Sequence, residues 1–328
     1  MNLNKQFGCV VFGGSLVEQV VQIPRLPHHQ QDNVPLSRME ILPGGSGANV
    51  AVYLARLGVP TRLLDRWGND WEADLLETTY HREGVEIHFC RRHQELTTPF
   101  MIILTLPDND WTGITRIPEE AQLKPGDFPL ESILSGKFIH FHGFSLSTKS
   151  GQAGVDWALK AAKLDGIQIS LDACTPVARE FPEIIRRLVP FCRLFFANVV
   201  EALALTNKSD LVSAALDLLS LGTEAVIIKA GEEGCYFIER GQRQVQHCPA
   251  IPTQITDTIG AGDAVVAGVI AGLIQEFNMK DSIRLGTASA ALTCQGVGAQ
   301  SRGFSLIEAC QLAGLSIKSE FKEEPTDG

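Results

Sequence analysis

A short turn of small residues joined to a long apolar stretch sets the strongest limit on the fold of this chain. The turn is Gly260-Ala261-Gly262, Asp263 follows it, and residues 264–270 are apolar or glycine. Small side chains leave the backbone N–H groups open to a single acceptor, and the positive end of a following helix adds to the attraction. The sequence therefore predicts a helix whose N-terminus binds an anion, with phosphate as the expected guest.

Asp263 is the unexpected member of this turn. A carboxylate beside a bound phosphate is repulsive unless it has a task, such as accepting a proton from an attacking hydroxyl group. The alternative is that Asp263 only favours a helix N-terminus and that the glycines only form a tight turn. The turn alone leaves both interpretations open.

The rest of the chain alternates short apolar runs with helical patterns, which predicts an α/β fold. The apolar runs are continuous rather than alternating, as in strands of a parallel sheet that helices cover on both faces. The 328 residues are enough for one large domain of this kind. Predicted strands cover residues 9–13, 61–66, 138–142, 168–173, 194–197 and 225–229, and predicted helices cover 48–57, 152–164, 184–188 and 211–219.

Residues 16–44 and 96–118 break this rhythm. They alternate apolar and polar residues, carry prolines and turn signals such as residues 108–110, and contain no helical pattern of useful length. They predict antiparallel strands with one solvent-exposed face. These strands form either a small sheet over one edge of the main domain or two surface hairpins. The α/β domain then comprises residues 1–15, 45–95 and 119–317, and residues 318–328 form a frayed tail.

Composition argues against several classes of partner. With 28 basic and 38 acidic residues, the formal charge of −10 argues against nucleic acid and anionic membranes as partners. No apolar run reaches the roughly 18 residues of a membrane span, and the N-terminal residues predict no signal segment. The eight cysteines form no Cys-x-x-Cys pair, which is typical of reduced thiols in a cytoplasmic protein.

A second glycine cluster lies at Gly44, Gly45, Ser46 and Asn49, where the helix predicted over 48–57 begins. The two glycines allow a ligand to approach the backbone, and the hydroxyl and amide groups can hydrogen-bond a polyol. The spacing is neither that of a dinucleotide-binding motif nor that of a Walker loop.

Together, the runs 44–68 and 257–270 resemble the two signatures of the ribokinase-type (PfkB) carbohydrate kinases. They stand in the expected order in a chain of the expected length, and the resemblance extends from Val10 to about Leu315. It implies a three-layer ribokinase-like α/β domain with a mostly parallel central sheet and a small antiparallel β lid. It also implies phosphorylation of a sugar or sugar-like polyol with ATP and Mg²⁺, although the signatures specify the acceptor poorly.

The resemblance assigns roles to the first turn. Asp263 matches the base that takes the proton of the acceptor hydroxyl. Gly260, Ala261 and Gly262 match the anion hole for the transferring phosphate, and Gly262 also borders the nucleotide. Positioning and electrostatics account for most of the catalysis of such a transfer.

Asn198 and Glu201 match a family motif in which the asparagine lies near the nucleotide phosphates and the glutamate supports the hydration shell of Mg²⁺. An ion that dehydrates reluctantly fits an oxygen-rich site of this kind. The alternative for this pair is a helix cap with a solvated glutamate.

Two further segments are assigned by the same resemblance. Lys229, Gly231 and Gly234 resemble the nucleotide loop, and the alternative for Lys229 is a solvated side chain. Asp257 and the loop 296–299 lie where many relatives bind a monovalent cation such as K⁺ through oxygen atoms.

The acceptor end departs from the family pattern. Glu18 stands where the family usually has an aspartate that holds sugar hydroxyls, and Leu16 and Ser46 replace an asparagine and a lysine of ribose-specific relatives. These changes argue against ribose. Glu18 either accepts two sugar hydroxyls or is a solvated charge of the lid. The expected acceptor contacts are Glu18, Gly44, Gly45, Ser46, Asn49 and His142.

His140 and His142 share one face of a predicted strand whose end borders the acceptor site in relatives, and packing in the core is the alternative for both. In the lid, Arg38, Trp111 and Arg116 are candidates for contact with an anionic or planar part of the acceptor. Ordinary solvated positions are the alternative for these three residues.

Two other functions remain open. A nucleoside kinase would use the same framework, with Phe100 and Trp111 as the candidates to pack on a base. A sugar-binding regulator without turnover would fit the changed acceptor end. Exposed lid strands often pair between subunits in this family, so a homodimer through the lid is expected.

Overall fold

The computed structural model describes residues 5–29, 32–107 and 111–316. The side chain of Trp111 lies outside the described part. The predicted turn at 108–110 and the predicted tail at 318–328 also lie outside it. The described strands are β1 (Phe7–Phe12), β2 (Leu16–Gln22), β3 (Arg38–Gly44), β4 (Thr61–Gly68), β5 (Cys90–His93), β6 (Phe100–Thr105), β7 (Trp111–Arg116), β8 (Gly136–His142), β9 (Gln168–Asp172), β10 (Leu194–Asn198), β11 (Ala225–Lys229), β12 (Cys235–Glu239) and β13 (Gln246–Cys248). The described helices are α1 (Ser46–Arg56), α2 (Trp71–Arg82), α3 (Leu130–Leu134), α4 (Lys149–Leu164), α5 (Thr175–Glu180), α6 (Pro182–Arg186), α7 (Val199–Thr206), α8 (Leu211–Ser220), α9 (Ala261–Ile274), α10 (Met279–Thr293) and α11 (Leu306–Ala313).

Nine strands form one large sheet, in the order β13-β12-β11-β10-β9-β8-β1-β4-β5. Every pairing from β11 to β5 is parallel, and β12 and β13 add antiparallel pairings at one edge. Parallel neighbours need a crossover connection, which the helices between most successive strands of this sheet supply. The predicted, mostly parallel central sheet is confirmed.

Two hydrophobic cores lie on opposite faces of this sheet. In β1, Cys9 and Val11 enter one core together with α1, α9 and α10, whereas Val10 and Phe12 enter the other with α4, α7 and α8. Successive side chains of a strand point to opposite faces, so a continuous apolar run fits a strand that is covered on both sides. The result is the three-layer arrangement that the apolar runs predicted.

The remaining strands form a small four-stranded sheet in the order β3-β2-β6-β7. Its two outer pairings are antiparallel, as predicted, and its central pairing of β2 with β6 is parallel. One face covers the edge of the main domain. The opposite face includes the exposed apolar side chains of Met39, Ile41 and Ile114, although the alternating pattern predicted polar side chains on the solvent-exposed face.

Helix boundaries differ from the predicted ones where a local signal was overlooked. The side chain of Thr148 accepts a hydrogen bond from the Gly151 N–H at 3.1 Å, so α4 begins at Lys149 rather than at residue 152. Pro182 opens α6, because proline fits the first turn of a helix, and the helix begins two residues earlier than predicted. No helix within the described ranges has both the length and the apolarity needed to cross a bilayer.

Candidate active site

A cavity of about 900 Å³ opens where the parallel strands of the large sheet end. The ends of β8, β9, β10 and β11 contribute His142, Asp172, Asn198 and Lys229 to its wall, and the small sheet contributes Met101 from the other side. The carboxyl ends of parallel strands lie at one edge of the sheet, and ligands of open α/β sheets bind there. This edge is therefore the candidate active site.

Asp263 lies on the cavity wall in the first turn of α9. Asn49 Nδ2 donates to Asp263 Oδ2 at 2.8 Å, and Gln300 Nε2 in turn donates to Asn49 Oδ1 at 2.8 Å. Burial raises the pKa of Asp263 to about 7, against the opposing effects of the Asn49 hydrogen bond and the charge of Lys229. The two glycine-rich segments thus meet at a carboxyl group that changes its charge near neutral pH.

Gly260 caps α9 in the left-handed conformation, with φ 81°. A Cβ atom at this position would lie 2.6 Å from both Ala299 Cβ and Tyr53 Oη. Tyr53 is fully buried and donates a hydrogen bond to the Ala299 carbonyl. The site therefore requires glycine at this position. The Ala261 N–H donates to the carbonyl of Thr258 at 3.2 Å, so it is not presented to the cavity.

Glu18 lies on β2 with only 5% of its surface exposed, so the alternative of a solvated lid charge is wrong. Its Oε1 accepts a hydrogen bond from the Gly45 N–H at 3.4 Å, and its Oε2 has no hydrogen-bond partner in the described part of the chain. Burial raises the pKa of Glu18 to about 7, and the carboxylates of Asp263 and Asp257 add to the rise. A buried polar atom without a partner is costly, so the described residues leave the hydrogen bonding of this carboxyl group incomplete.

Asn198 and Glu201 form a capping box at the N-terminus of α7. Asn198 Oδ1 accepts the Glu201 N–H at 2.9 Å, and Glu201 Oε2 accepts the Asn198 N–H at 2.8 Å. Thr175 Oγ1 donates to Glu201 Oε1 at 3.0 Å. The alternative interpretation was a helix cap with a solvated glutamate. The cap is present, but Glu201 is only 5% exposed. Both residues line the cavity.

Lys229 ends β11 and forms an ion pair with Asp172 at the end of β9. Its Nζ lies 2.7 Å from both carboxylate oxygens. Burial alone would lower the pKa of Lys229, but the charges of Asp172 and Glu201 outweigh it and raise the pKa. A Cβ atom at Gly262 would lie 3.4 Å from the Lys229 Nζ, so this buried cation borders the first turn of α9. The alternative of a solvated Lys229 is wrong.

Residues 9–304 match the family described as pfkB family carbohydrate kinase. This match spans most of the chain and includes both glycine-rich segments. The chain belongs to the pfkB family of carbohydrate kinases. A fructokinase of Klebsiella pneumoniae is 29% identical over 275 residues, which cover 80% of this chain and 87% of that protein.

Solved structures show the same fold for this pfkB kinase. Arabidopsis thaliana ribokinase complexed with ribose and ATP superposes with a TM-score of 0.81 at 22% identity, over 94% of this chain and 99% of that one. A putative ribokinase II from E. coli in complex with ATP and Mg²⁺ gives 0.82 at 22% identity, over 95% and 99% of the two chains. The predicted family and the ribokinase-like fold are confirmed.

Most residues predicted for the site of this kinase lie on the cavity wall. They are Glu18, Gly45, Ser46, Asn49, His142, Asn198, Glu201, Lys229, Gly260, Gly262 and Asp263. Gly44 lies behind the wall, where a Cβ atom would collide with the Glu18 carboxyl group. Gly231 and Gly234 lie in the turn after β11, away from the cavity wall.

Asp257 joins two loops behind the site instead of lining it. Its Oδ1 accepts the Ile259 N–H at 3.0 Å, and its Oδ2 accepts the Gly298 N–H at 2.7 Å. Asp257 therefore contacts the loop 296–299 directly, and the monovalent cation expected beside them stays a prediction. Within the described residues, no group of three or more His, Cys, Asp and Glu side chains could hold a metal ion.

His140 and His142 are packed in the core, as the alternative interpretation had it. His140 Nδ1 lies 3.0 Å from Ser170 Oγ, and His142 Nε2 lies 2.9 Å from Ser145 Oγ. Burial lowers the pKa of His140 to about 3 and that of His142 to about 4, so both rings are neutral at physiological pH. Of the two, His142 reaches the cavity wall.

Sequence reasoning missed two buried acidic residues of the wall, Asp65 and Asp172, as well as the exposed Glu180. Asp65 Oδ2 accepts the Ser15 N–H at 2.8 Å and also the Ser15 hydroxyl, while Trp67 Nε1 donates to Ser15 Oγ at 2.6 Å. Burial raises the pKa of Asp65 to about 6. The available signal was an acidic residue at the carboxyl end of a predicted apolar strand, which both positions provide.

Proposed function

We propose that this kinase transfers the γ-phosphoryl group of ATP to a hydroxyl group of a sugar or sugar-like polyol in the presence of Mg²⁺. The observation that carries the proposal is the half-buried carboxyl group of Asp263, which lies on the cavity wall, is held by Asn49 at the start of α9 and has a pKa raised by burial to about 7. A general base needs a pKa near the working pH and a fixed position beside its substrate. Membership of the pfkB family supports the reaction class.

In the proposed step, Asp263 takes the proton of the acceptor hydroxyl while the hydroxyl oxygen forms a bond to the γ-phosphorus. The bond between the γ-phosphorus and the bridging oxygen breaks, and ADP leaves with that oxygen. The N–H groups of Gly260 and Gly262, with the positive end of α9, stabilise the charge of the transferring group. Ala261 contributes through its small side chain, because its N–H donates to Thr258 at 3.2 Å.

The nucleotide is proposed to lie over the ends of β10 and β11. Asn198 and the Lys229 ammonium group stand there, and the turn with Gly231 and Gly234 follows. Glu201 fits a contact to Mg²⁺ through water, because both of its oxygens already accept hydrogen bonds from the protein. Bound Mg²⁺ neutralises charge on the phosphate oxygens.

Asp257 and the acceptor contacts complete the proposed site. Asp257 is proposed to hold the Gly298 loop, beside which a monovalent cation such as K⁺ would bind through carbonyl oxygens. Glu18, Ser46 and Asn49 are proposed to bind the acceptor, with Gly44 and Gly45 leaving room for it and His142 donating to it or closing the pocket behind it.

The small sheet is proposed to act as a lid. Residues 16–44 and 96–118 would exclude water from the phosphoryl donor, and Leu16, Met101 and Thr115 of this sheet lie on the cavity wall. A homodimer through the lid and a cytoplasmic location are parts of the same proposal. All eight cysteines are free thiols, which fits a reducing compartment.

The apolar side of the cavity favours a nucleoside as a second candidate acceptor. Met101, Ile103 and Ile117 line the wall opposite the polar floor, and such side chains could pack on a base. A coupled assay of ADP release with hexoses, pentoses, inosine and adenosine distinguishes the two. A clear preference for the nucleosides would replace the sugar as the acceptor.

Replacing Asp263 with asparagine tests the mechanism. The Asp263→Asn variant keeps an oxygen that accepts the Asn49 hydrogen bond but cannot take a proton at neutral pH, so ADP release should fall by about 10²–10⁴-fold. Calorimetric ATP affinity should stay unchanged. Asp74→Asn is the matched control, because its side chain lies on α2 and is 69% exposed. Near-normal turnover in Asp263→Asn would contradict the proposed base.

A further inference from the structure

The ion pair of Lys229 with Asp172 lies on the cavity wall, and sequence reasoning assigned no role to its acidic member. The two residues end β11 and β9, which flank β10 in the large sheet. The Lys229 Nζ lies 2.7 Å from both carboxylate oxygens, and the two side chains are only 13% and 7% exposed. The pair therefore spans one strand and is largely shielded from water.

Stability of the fold is a weak explanation for this pair. Moving two charges out of water costs free energy that their attraction often fails to offset, and well-packed apolar side chains of similar volume are often at least as stabilising. Both charges stand where their strands reach the cavity. The pair is therefore expected to act on a ligand of the cavity.

One N–H donor of the Lys229 ammonium group has no hydrogen-bond partner in the described part of the chain. A lysine ammonium group carries three N–H donors, and the hydrogen bonds of Lys229 go to the two oxygens of Asp172. A Cβ atom at Gly262 would lie 3.4 Å from the Nζ, so the ammonium group lies beside the first turn of α9. The proposed anion hole lies in that turn.

Asp172 also maintains the charge of Lys229. Burial alone would lower the pKa of Lys229, and the charge of Asp172 has the largest of the effects that raise it. A neutral amine would attract a phosphate far less than an ammonium group does. Loss of the Asp172 charge should therefore weaken both the position and the charge of this cation.

Lys229 differs in this respect from Arg179, the other cationic side chain on the described part of the cavity wall. Arg179 is exposed on α5. A long exposed side chain loses conformational freedom when it binds a ligand, whereas a side chain that is already held loses less. Lys229 is thus the preorganised cation of the cavity.

We propose that Asp172 is a positioning residue for phosphoryl transfer: it holds the Lys229 ammonium group beside the first turn of α9, where the third N–H donates to an oxygen of the transferring γ-phosphoryl group. The proposal rests on the proposed kinase function and adds a fixed cation to the anion hole. Donors that are fixed in advance stabilise developing charge without reorganisation. No covalent bond of Lys229 or Asp172 forms or breaks in the transfer.

Calorimetry with ATP and ADP in the presence of Mg²⁺ tests the position of Lys229 without turnover. Lys229→Met removes the charge but keeps a long side chain, so ATP affinity should fall by about tenfold while ADP affinity stays within about twofold. Asp172→Asn should have the same effect, because the ammonium group is no longer held. An equal loss of ATP and ADP affinity would overturn the proposal, as would an unchanged ATP affinity.

Turnover of a double variant shows whether Asp172 acts through Lys229. Each single variant should lower kcat by about 10–100-fold, and Asp172→Asn combined with Lys229→Met should be no slower than Lys229→Met alone. Losses that multiply in the double variant would overturn the positioning role. The double variant has no unpaired buried charge at this pair, so it should lose the preference for ATP over ADP even where a single variant fails to fold.

Asp217→Asn is the matched control. It removes the acid of another ion pair, in which Arg186 Nη1 lies 2.9 Å from Asp217 Oδ2 on helices α6 and α8, and neither residue lines the cavity. The control should leave kcat and both nucleotide affinities unchanged.

The two measurements also separate this proposal from the proposed function. A wild-type protein that releases no ADP with any acceptor would contradict the kinase function, while the calorimetric comparison would still test Lys229 and Asp172. An active wild-type protein whose Asp172→Asn variant keeps full turnover and full ATP affinity would contradict the role of Asp172 alone.

Discussion

At the scale of single residues, the cavity holds carboxyl groups whose charge changes near neutral pH. Burial raises the pKa of both Asp263 and Glu18 to about 7, while burial lowers the pKa of His142 to about 4. Below its pKa, Asp263 already carries a proton and cannot accept another. We expect kcat/KM to fall about tenfold per pH unit below about pH 7 and to level off above it. A pH–rate profile with a neutral acceptor measures this.

The Glu18→Gln variant separates the two carboxyl groups in that profile. The charges of Asp263 and Glu18 oppose each other's ionisation, so the variant should show a midpoint slightly below that of the wild type. The acidic limb itself should remain, even though the activity is lower. Loss of the limb in Glu18→Gln would assign it to Glu18 and contradict the assignment to Asp263.

At the scale of helices and strands, the sequence predicted the features that depend on local residue pattern. It missed the features that depend on how separate elements pack together. Continuous apolar runs were sufficient for the parallel sheet, and the glycine turn was sufficient for the start of α9. The burial of Glu18 depends on how β2 lies against Gly44 and Gly45, which no local pattern records. Asp65 and Asp172 lie near the carboxyl ends of predicted strands, but only the strand order brings them to one cavity.

Asn198 has an observed role as the cap of α7 and a proposed role in nucleotide binding, and two substitutions separate these roles. Asn198→Asp keeps an oxygen that caps α7 but adds a negative charge next to the proposed phosphate site, so KM for ATP should rise about tenfold with little change in Tm. Asn198→Ala should lower the free energy of unfolding by about 1 kcal/mol, because the cap is lost. Thermal unfolding and ATP kinetics measure both effects.

A cap on a neighbouring helix serves as the control for α7. Asp210 caps α8 by accepting the Ser213 N–H at 2.8 Å, and Asp210→Ala should lower Tm while leaving KM for ATP unchanged. If Asn198→Asp binds ATP as well as the wild type does, Asn198 is a structural cap and has no part in nucleotide binding.

At the scale of the whole molecule, the small sheet exposes apolar side chains on the face turned away from the cavity, although a lid needs only the face that covers the cavity. On the outer face, the strand registers place Ile41, Gln19, Ile102 and Ile114 in one row across all four strands. Ile41 is 42% exposed and Ile114 is 62% exposed. Exposed apolar side chains on a sheet with open edges mark an interaction surface, and a second copy of this chain is the proposed occupant.

We expect the protein to sediment as a dimer at micromolar concentration and the double variant Ile41→Lys, Ile114→Lys to sediment as a monomer. An interface through this row would bury two unpaired ammonium groups in each copy, which outweighs the apolar contacts that it gains. Leu164→Lys is the matched control, because Leu164 is 91% exposed on α4, outside the small sheet, and its replacement should leave the dimer intact. A wild-type protein that sediments as a monomer would contradict the dimer, and a double variant that remains dimeric would place the interface elsewhere.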